Sequence, residues 1–300
     1  MKRVYLLILY YNGFDDMRLC LPTLKNFRGE NYSLHTVVIN NGSSPDQSQR
    51  LKTLLKKYPS IKLLENGKNL GFAAGNNVGI RYALKKNADY VVLLNNDTQI
   101  EDDFIQRGII LNADIISPVV KFREFVGKKK MIYDLGGTVN RWTGRTGHVN
   151  AYYQDYLKYK KIKPLSVDYV AGCSMMIKSS VLEKIGLLDE RYFIYFEDVD
   201  YCVSAKKAGF SVLVDPSSVL YHKLGGSMDR WSLRAIYFNL TSNYIFIAKH
   251  LGLRMVTGFA YLTILTAKIA GDYIMDYVRG KRYIQLKRKW QGAKYTYREE

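Results

Sequence analysis

Three hundred residues, 47% hydrophobic and 13% aromatic, suffice for a full core, and the aromatic content excludes an intrinsically disordered chain. A formal charge of +18 calls for an anionic partner; zinc-finger, RNP and helix-turn-helix patterns are missing, so nucleic acid is not expected and an anionic lipid surface is. The cysteines, Cys20, Cys173 and Cys202, are odd in number and lack metal-ligand spacing, which fits reduced thiols in a cytosolic protein and excludes a disulfide framework.

Lys2 and Arg3 ahead of the apolar run Val4 to Tyr10 imitate a signal peptide. The run is short, however, and Tyr11, Asn12, Asp15 and Asp16 follow where a small-residue cleavage site would stand, so it reads as a buried first strand and the start of the mature protein. Asp15 or Asp16 is placed to cap a helix carrying Leu19, Leu21 and Leu24, with Pro22 early enough to be tolerated or to kink it. His35 to Asn40 is a second strand. The loop Asn41-Gly42-Ser43-Ser44-Pro45-Asp46 leads into a helix with Leu51, Leu54 and Leu55 at helical spacing. Ile61 to Leu64 is a third strand, and Gly71 to Lys86 a helix whose Gly71, Gly75 and Gly79 leave one face bare for close approach to a strand or a ligand. Tyr90 to Leu94 is a fourth buried strand, with Asp97 just past its carboxyl end. Strands alternating with helices predict an α/β fold with a parallel sheet and right-handed crossovers. Ligands of such sheets bind beyond the strands' carboxyl ends, where Asn40 to Ser44 and Asn95 to Asp97 both fall.

Lys121 to Val167 breaks the pattern. Its few apolar runs, Gly136-Gly137, the basic Lys128-Lys129-Lys130 and the tyrosines from Tyr152 to Tyr159 read either as hairpins and loops around an opening for an acceptor or as a solvated insertion. Asp168 to Ile177 is again a strand, Ser180 with Glu183 a capping box for a short helix, Val199 to Ala208 a helix and Phe210 to Val214 a strand. After Trp231 the chain turns helical, through Ile236 to His250 and Met255 to Val278. This divides it into a domain over 1–230 and a helical, basic C-terminal region over 231–300. Met255 to Ala267 is apolar, but Lys268 and Asp272 interrupt it short of the about 20 apolar residues a membrane span needs. An interfacial or partner-packing helix is expected, with Arg279, Lys281, Arg282, Lys287, Arg288, Lys289 and Trp290 suited to a headgroup zone.

The segment Arg191-Tyr192-Phe193-Ile194-Tyr195-Phe196-Glu197-Asp198-Val199-Asp200 sets three carboxylates inside an aromatic run. Apolar rings disfavour the charged form of a carboxylate, so such a cluster points to a chemical role, although an acidic first helical turn reads the same way. The second acidic segment, Asn95-Asn96-Asp97, weighs toward chemistry.

These segments, taken with Val37 to Ser44, Asn69-Leu70-Gly71-Phe72-Ala73-Ala74-Gly75-Asn76-Asn77, Leu93 to Thr98 and Ala171 to Ser227, stand in the order and spacing of the family 2 glycosyltransferases of GT-A fold. The sequence resembles the rhamnosyltransferase-like branch over nearly all of Val4 to Leu251. The resemblance implies a Rossmann-like, mostly parallel sheet flanked by helices. It implies an inverting transfer of a sugar, plausibly rhamnose, from a dTDP- or UDP-linked donor to a polysaccharide or lipid-linked acceptor, in the cytoplasm at the inner face of the cell membrane. It leaves the oligomeric state open. Asp97 matches the family's metal-binding aspartate and His222 the histidine that completes a Mn²⁺ or Mg²⁺ site; Asp198 matches the catalytic base, with Glu197 and Asp200 orienting the acceptor or the base. Asn40, Asn41, Gly42, Ser43, Asn69, Gly71, Asn76, Asn95 and Asn96 fall at donor-pocket positions, and Gly172 and Cys173 match small residues beside the sugar.

Three departures stand out. Asn95 replaces an aspartate common in the wider superfamily, Asn40 replaces a nucleoside-binding aspartate, and Ser204 stands where an arginine is frequent, leaving Lys206 and Lys207 as the helix's basic residues. The Asn95 and Asn40 departures, with the basic tail, keep open a rival reading, a nucleotide-sugar or polyanion binding protein without turnover. A nucleotidyltransferase is disfavoured by the lack of a Gly-rich basic loop after the first strand.

Overall fold

The computed structural model describes residues 1–122, 132–148, 163–223 and 232–278. The Lys128 to Lys130 run, the Tyr152 to Tyr159 run, the Gly225-Gly226-Ser227 segment and the basic stretch after Val278 lie outside the described residues.

Continuous apolar runs become the centre of one sheet. Strand β1 (Lys2–Tyr10) pairs in parallel with β2 (Tyr32–Asn41) on one side and with β4 (Tyr90–Asn95) on the other, and β2 pairs in parallel with β3 (Lys62–Asn66). Helices α1 (Phe14–Cys20), α2 (Pro45–Leu55) and α3 (Gly71–Lys85) lie between these strands in the chain. The bare glycine face of α3 packs on the sheet: a Cβ on Gly79 would stand 2.9 Å from Ile39 and 3.0 Å from Leu7.

Further along come β5 (Thr98–Ile100), α4 (Phe104–Ile110), β6 (Ile115–Phe122), β7 (Ile132–Asp134) and the hairpin β8 (Gly137–Val139) and β9 (Thr146–His148). They are followed by β10 (Leu165–Ser166), β11 (Ser174–Lys178), α5 (Ser179–Ile185), α6 (Glu197–Lys207) and β12 (Val212–His222). The sheet order is β10-β12-β6-β11-β4-β1-β2-β3, with β5 added to β12 and β7 to β6. Strand β12 is parallel to β6, while β11 runs antiparallel to both β4 and β6. Consequently β3, β2, β1, β4, β6 and β12 share one direction, and β11 is inserted among them reversed. The core beneath it includes Leu6, Ile8, Met17, Val38, Val92, Phe104 and Met176.

Several local expectations are corrected. Gly13, with no side-chain cap, precedes α1, since Asp15 and Asp16 both lie inside its first turn, Asp16 paired with Lys223 at 3.1 Å; at Pro22 the helix gives way to a 3-10 segment, Leu21–Asn26. Ser180 lies inside α5, whose N-cap is Lys178. The expected strand Asp168 to Ile177 begins only at Ser174. Strand β12 does not stop at Val214 but continues through a bulge to His222, since the buried Asp215 carboxylate accepts from Ser217 N–H and from the Ser217 and Ser218 hydroxyls, so Pro216 does not end the strand.

A second unit contains residues 140–145 with α7 (Leu233–His250) and α8 (Met255–Val278). Ser232 caps α7 by accepting from Ala235 N–H. Tyr244 stacks on Phe259 with centroids 4.9 Å apart, and Gly258 brings α8 close to Ile247 and Leu251.

Candidate active site

Because the parallel strands end on one rim, Tyr10, Asn41, Asn95 and His222 are delivered to it together. The reversed β11 brings its beginning to the same rim, since Ser174 pairs with Leu94. The segment before it, Gly172-Cys173, therefore lies beside the end of β4, where Asn95 N–H donates to Cys173 O at 3.0 Å.

Asp97 occupies the turn between β4 and β5, and His222 closes β12 opposite Thr98. Both side chains are buried, with His222 Nε2 3.0 Å from Asp97 Oδ1 and 3.4 Å from Asn95 Nδ2. Burial alone would lower the His222 pKa, but the adjoining Cys173 and Asp97 outweigh it and push it up to about 10. The Cys173 thiol itself is held up by burial. A hard divalent ion takes a carboxylate and an imidazole readily, and neighbouring ligands at about 2.1 Å from an octahedral ion stand roughly 3 Å from each other. The Asp97–His222 separation fits that requirement, with the imidazolium giving up its proton as the ion enters. Among the described residues no third His, Cys, Asp or Glu joins them in a metal cluster.

The acidic segment enters through two consecutive non-glycine residues in the left-handed region, Tyr195 (φ 71°) and Phe196 (φ 66°). Backbone of this kind persists where surrounding contacts over-determine it, and it clusters at functional sites. The three acids then separate by environment. Asp198 Oδ2 accepts from Gly172 N–H at 2.8 Å and Oδ1 from Val199 N–H at 2.7 Å. Burial raises its pKa, while these two N–H groups favour its ionised form. Glu197 is buried, its Oε2 lacks a hydrogen-bond partner, and burial with the Asp198 charge raises its pKa well above the ordinary range. Asp200 is buried and accepts from the Tyr192 hydroxyl at 3.2 Å. The pair thus differs in surroundings: burial favours the protonated form of Glu197, while the partly exposed Asp198 has two N–H groups that favour its ionised form. Gly172 and Cys173 join the two halves of the rim: the first holds Asp198, and the second touches His222 and Asn95. A Cβ on Gly172 would press on Phe72 at 3.2 Å and on Asp198 at 3.4 Å.

The asparagines serve the loops around this rim. Asn40 bonds Ser48 Oγ and Ser43 N–H, shaping the Gly42-Ser43 turn. Asn41 donates to Asn69 Oδ1 and Gly71 O and accepts from Asn66 and Leu70 N–H, tying β2 to the start of α3. Asn69 also accepts from Gly71 N–H, Asn96 donates to Gly13 O, and Asn76 donates to Phe72 O while its buried Oδ1 lacks a partner. Lys206 is engaged with Val167 O and Asp168, so it faces away from diphosphate duty.

Four features carried no local signal in the sequence. Asn12 exchanges bonds with Ser43 and Ser44, Phe72 N–H donates to Phe193 O, Asn77 grips Leu188 and Glu190, and buried Asp134 pairs with His148 at 3.1 Å.

A sheet of this order, with an acid-bearing turn after β4 and a second acid opening α6 on the same rim, is that of the GT-A glycosyltransferases. The chain matches Glycosyl transferase family 2 over residues 5–186 and belongs to that family. It is 32% identical over 181 residues to the low-salt glycan biosynthesis hexosyltransferase Agl10 of Haloferax volcanii, covering 59% of this chain and 54% of the relative. To the N-acetylglucosaminyl-diphospho-decaprenol L-rhamnosyltransferase of Mycobacterium tuberculosis it is 27% identical over 238 residues, covering 72% and 75%. The solved structure of GalNAc-T7 with UDP, GalNAc and Mn²⁺ superposes with a TM-score of 0.63 at 15% identity, covering 83% of this chain and 50% of that one, a likeness of fold. The chain thus spans about half the length of the Haloferax volcanii relative, and the proteins it is similar to include a named rhamnosyltransferase.

Proposed function

We propose that this chain transfers a hexosyl unit, rhamnose in the reading its relatives favour, from a dTDP- or UDP-linked donor to a lipid-linked or polysaccharide acceptor at the inner face of the cell membrane, with inversion. The observation that carries the reading is the Gly172-Cys173 junction, which sets an ionisable carboxylate next to a carboxylate–imidazole pair. Asp97 and His222 would hold Mn²⁺ or Mg²⁺, and that ion would neutralise charge growing on the departing diphosphate. Asp198 takes the proton from the acceptor hydroxyl as it attacks the anomeric carbon from the face opposite the diphosphate. Its two backbone N–H bonds favour its ionised form against burial and fix its direction. Glu197, whose protonated form burial favours, orients the base, and Asp200 holds Tyr192 and thereby the approach to the acid pair. The Asn40–Ser43 and Asn69–Gly71 loops shape the donor pocket.

The test is release of nucleoside diphosphate with Mn²⁺ present, wild type against Asp198→Asn. A general base is worth about 10²- to 10⁴-fold, and that loss is expected with donor binding kept. Full activity in the variant would remove Asp198 from the role. Tight donor binding by the wild type, with no sugar release under any acceptor, would favour the binding-protein reading.

A further inference from the structure

Helix α8 presents an apolar stripe to the outside. Val256, Ala260, Ile264, Ala267, Ile274 and Met275 recur at helical spacing, all are exposed, and Val256 and Ile264 are each 70% accessible. The charged side chains of this stretch, Lys268 and Asp272, fall to one side of the stripe. A stripe of this kind on a free-standing soluble surface is an interaction site. By length and composition Gly252–Met275 can cross a bilayer. Its opposite face, however, is committed to α7 through the Phe259–Tyr244 stack, Gly258 against Ile247, and buried Leu262. Helix α7 carries Arg234, Asn239, Asn243, Lys249 and His250 and cannot follow α8 through hydrocarbon. A groove lined by Tyr244, Phe259, Leu262 and Thr266 opens beside the stripe.

What covers the stripe is indicated by charge. Directly after α8 the sequence continues Arg279, Lys281, Arg282, Lys287, Arg288, Lys289 and Trp290, in a chain of net charge +18. A basic run with an aromatic residue, continuous with an uncharged helical stripe, matches an anionic headgroup layer over acyl chains and is a poor match for a second copy of an equally basic chain. We infer that α8 lies flat in the interface of an anionic bilayer, its Val256–Met275 stripe immersed and α7 above it, as a monotopic anchor. This deepens the membrane location in the proposed function and is independent of the donor chemistry.

The full chain is tested by co-sedimentation with vesicles of phosphatidylcholine alone and of equal parts phosphatidylcholine and phosphatidylglycerol, alongside light scattering for mass. Expected are binding to the anionic vesicles that weakens with salt, and a loss of about tenfold or more in a Val256→Glu, Ile264→Glu double variant whose melting temperature matches wild type. Release of the native protein from cell membranes by alkaline carbonate is also expected. Resistance to carbonate would mean a spanning helix and overturn the inference. A wild-type dimer that ignores vesicles and dissociates in the double variant would assign the stripe to a second copy, and a monomer that binds neither vesicle would leave no lipid role. Nucleoside diphosphate release, measured in parallel without vesicles, separates failure of the anchor from failure of the proposed reaction.

Discussion

Asn77 offers the sharpest test of how the catalytic segment is held. Its side chain is 1% exposed; Nδ2 donates to Leu188 O at 2.8 Å and to Glu190 Oε1 at 2.9 Å, and Oδ1 accepts from Leu188 N–H at 3.1 Å. In Asn77→Ala each bond removes about 0.5–1.5 kcal/mol net, and two buried backbone groups of Leu188 lose their partner, so a loss of about 3 kcal/mol is expected. At roughly 2–4 °C per kcal/mol for a domain of this size, the melting temperature should fall by about 6–12 °C. Circular dichroism melting measures it. Arg81→Ala is the control, because the Arg81–Glu190 pair is about half exposed on both sides and worth at most about 1 kcal/mol. The segment from Leu188 to Phe193 precedes Glu197-Asp198, so kcat should fall in Asn77→Ala more than in the control. A shift below about 2 °C, or equal shifts in the two variants, would refute the clamp.

Further outcomes are expected. Glu197 has a folded-state pKa raised above its ordinary value of 4.5, so the native state holds its proton longer than the unfolded chain and stability falls as pH rises above about 4.5. Glu197→Gln removes that slope, and its melting temperature should gain on wild type as pH rises; a constant gap from pH 4 to 8 would contradict a buried acid. Gly42 has φ 71°, and a Cβ there would sit 2.2 Å from the Lys68 carbonyl carbon, so Gly42→Ala should cost about 1–3 kcal/mol and weaken donor binding in calorimetry; wild-type binding would remove this turn from the donor pocket. Asp97→Asn and His222→Ala should each lower Mn²⁺ affinity by at least about tenfold in metal titration, and unchanged affinity in both would end their assignment as ligands.

The parts of the fold that could be read from the chain were those where one run of residues carries the whole signal. Val4 to Tyr10 and Tyr90 to Leu94 are apolar throughout because each is covered on both faces, and α3 shows its sheet-facing side as a glycine repeat. Direction was harder to read. Nothing within Ser174–Lys178 distinguishes a reversed strand from a parallel one, since the difference lies in its partners. Strand β12 looked finished at Val214 because proline normally stops a strand, and it continues only because Asp215 organises the bulge through Ser217 and Ser218. At the site, Asp97, Asp198 and His222 stood out through their motifs. The partnerships of Asn77 with Leu188 and of Asp134 with His148 depend on how the chain folds back and leave no local pattern. Asn40 and Asn41 were read as nucleotide contacts, whereas their amides also brace neighbouring loops, a duty invisible without coordinates.

The backward strand β11 fixes what stands beside the end of β4. Its leading residues reach the rim tied on both sides, Gly172 to Asp198 and Cys173 to Asn95, before the ladder begins at Ser174. A change of chain length ahead of Gly172 would therefore move the Asp198 and Asn95 contacts together, while the pairing of β11 with β4 keeps its register.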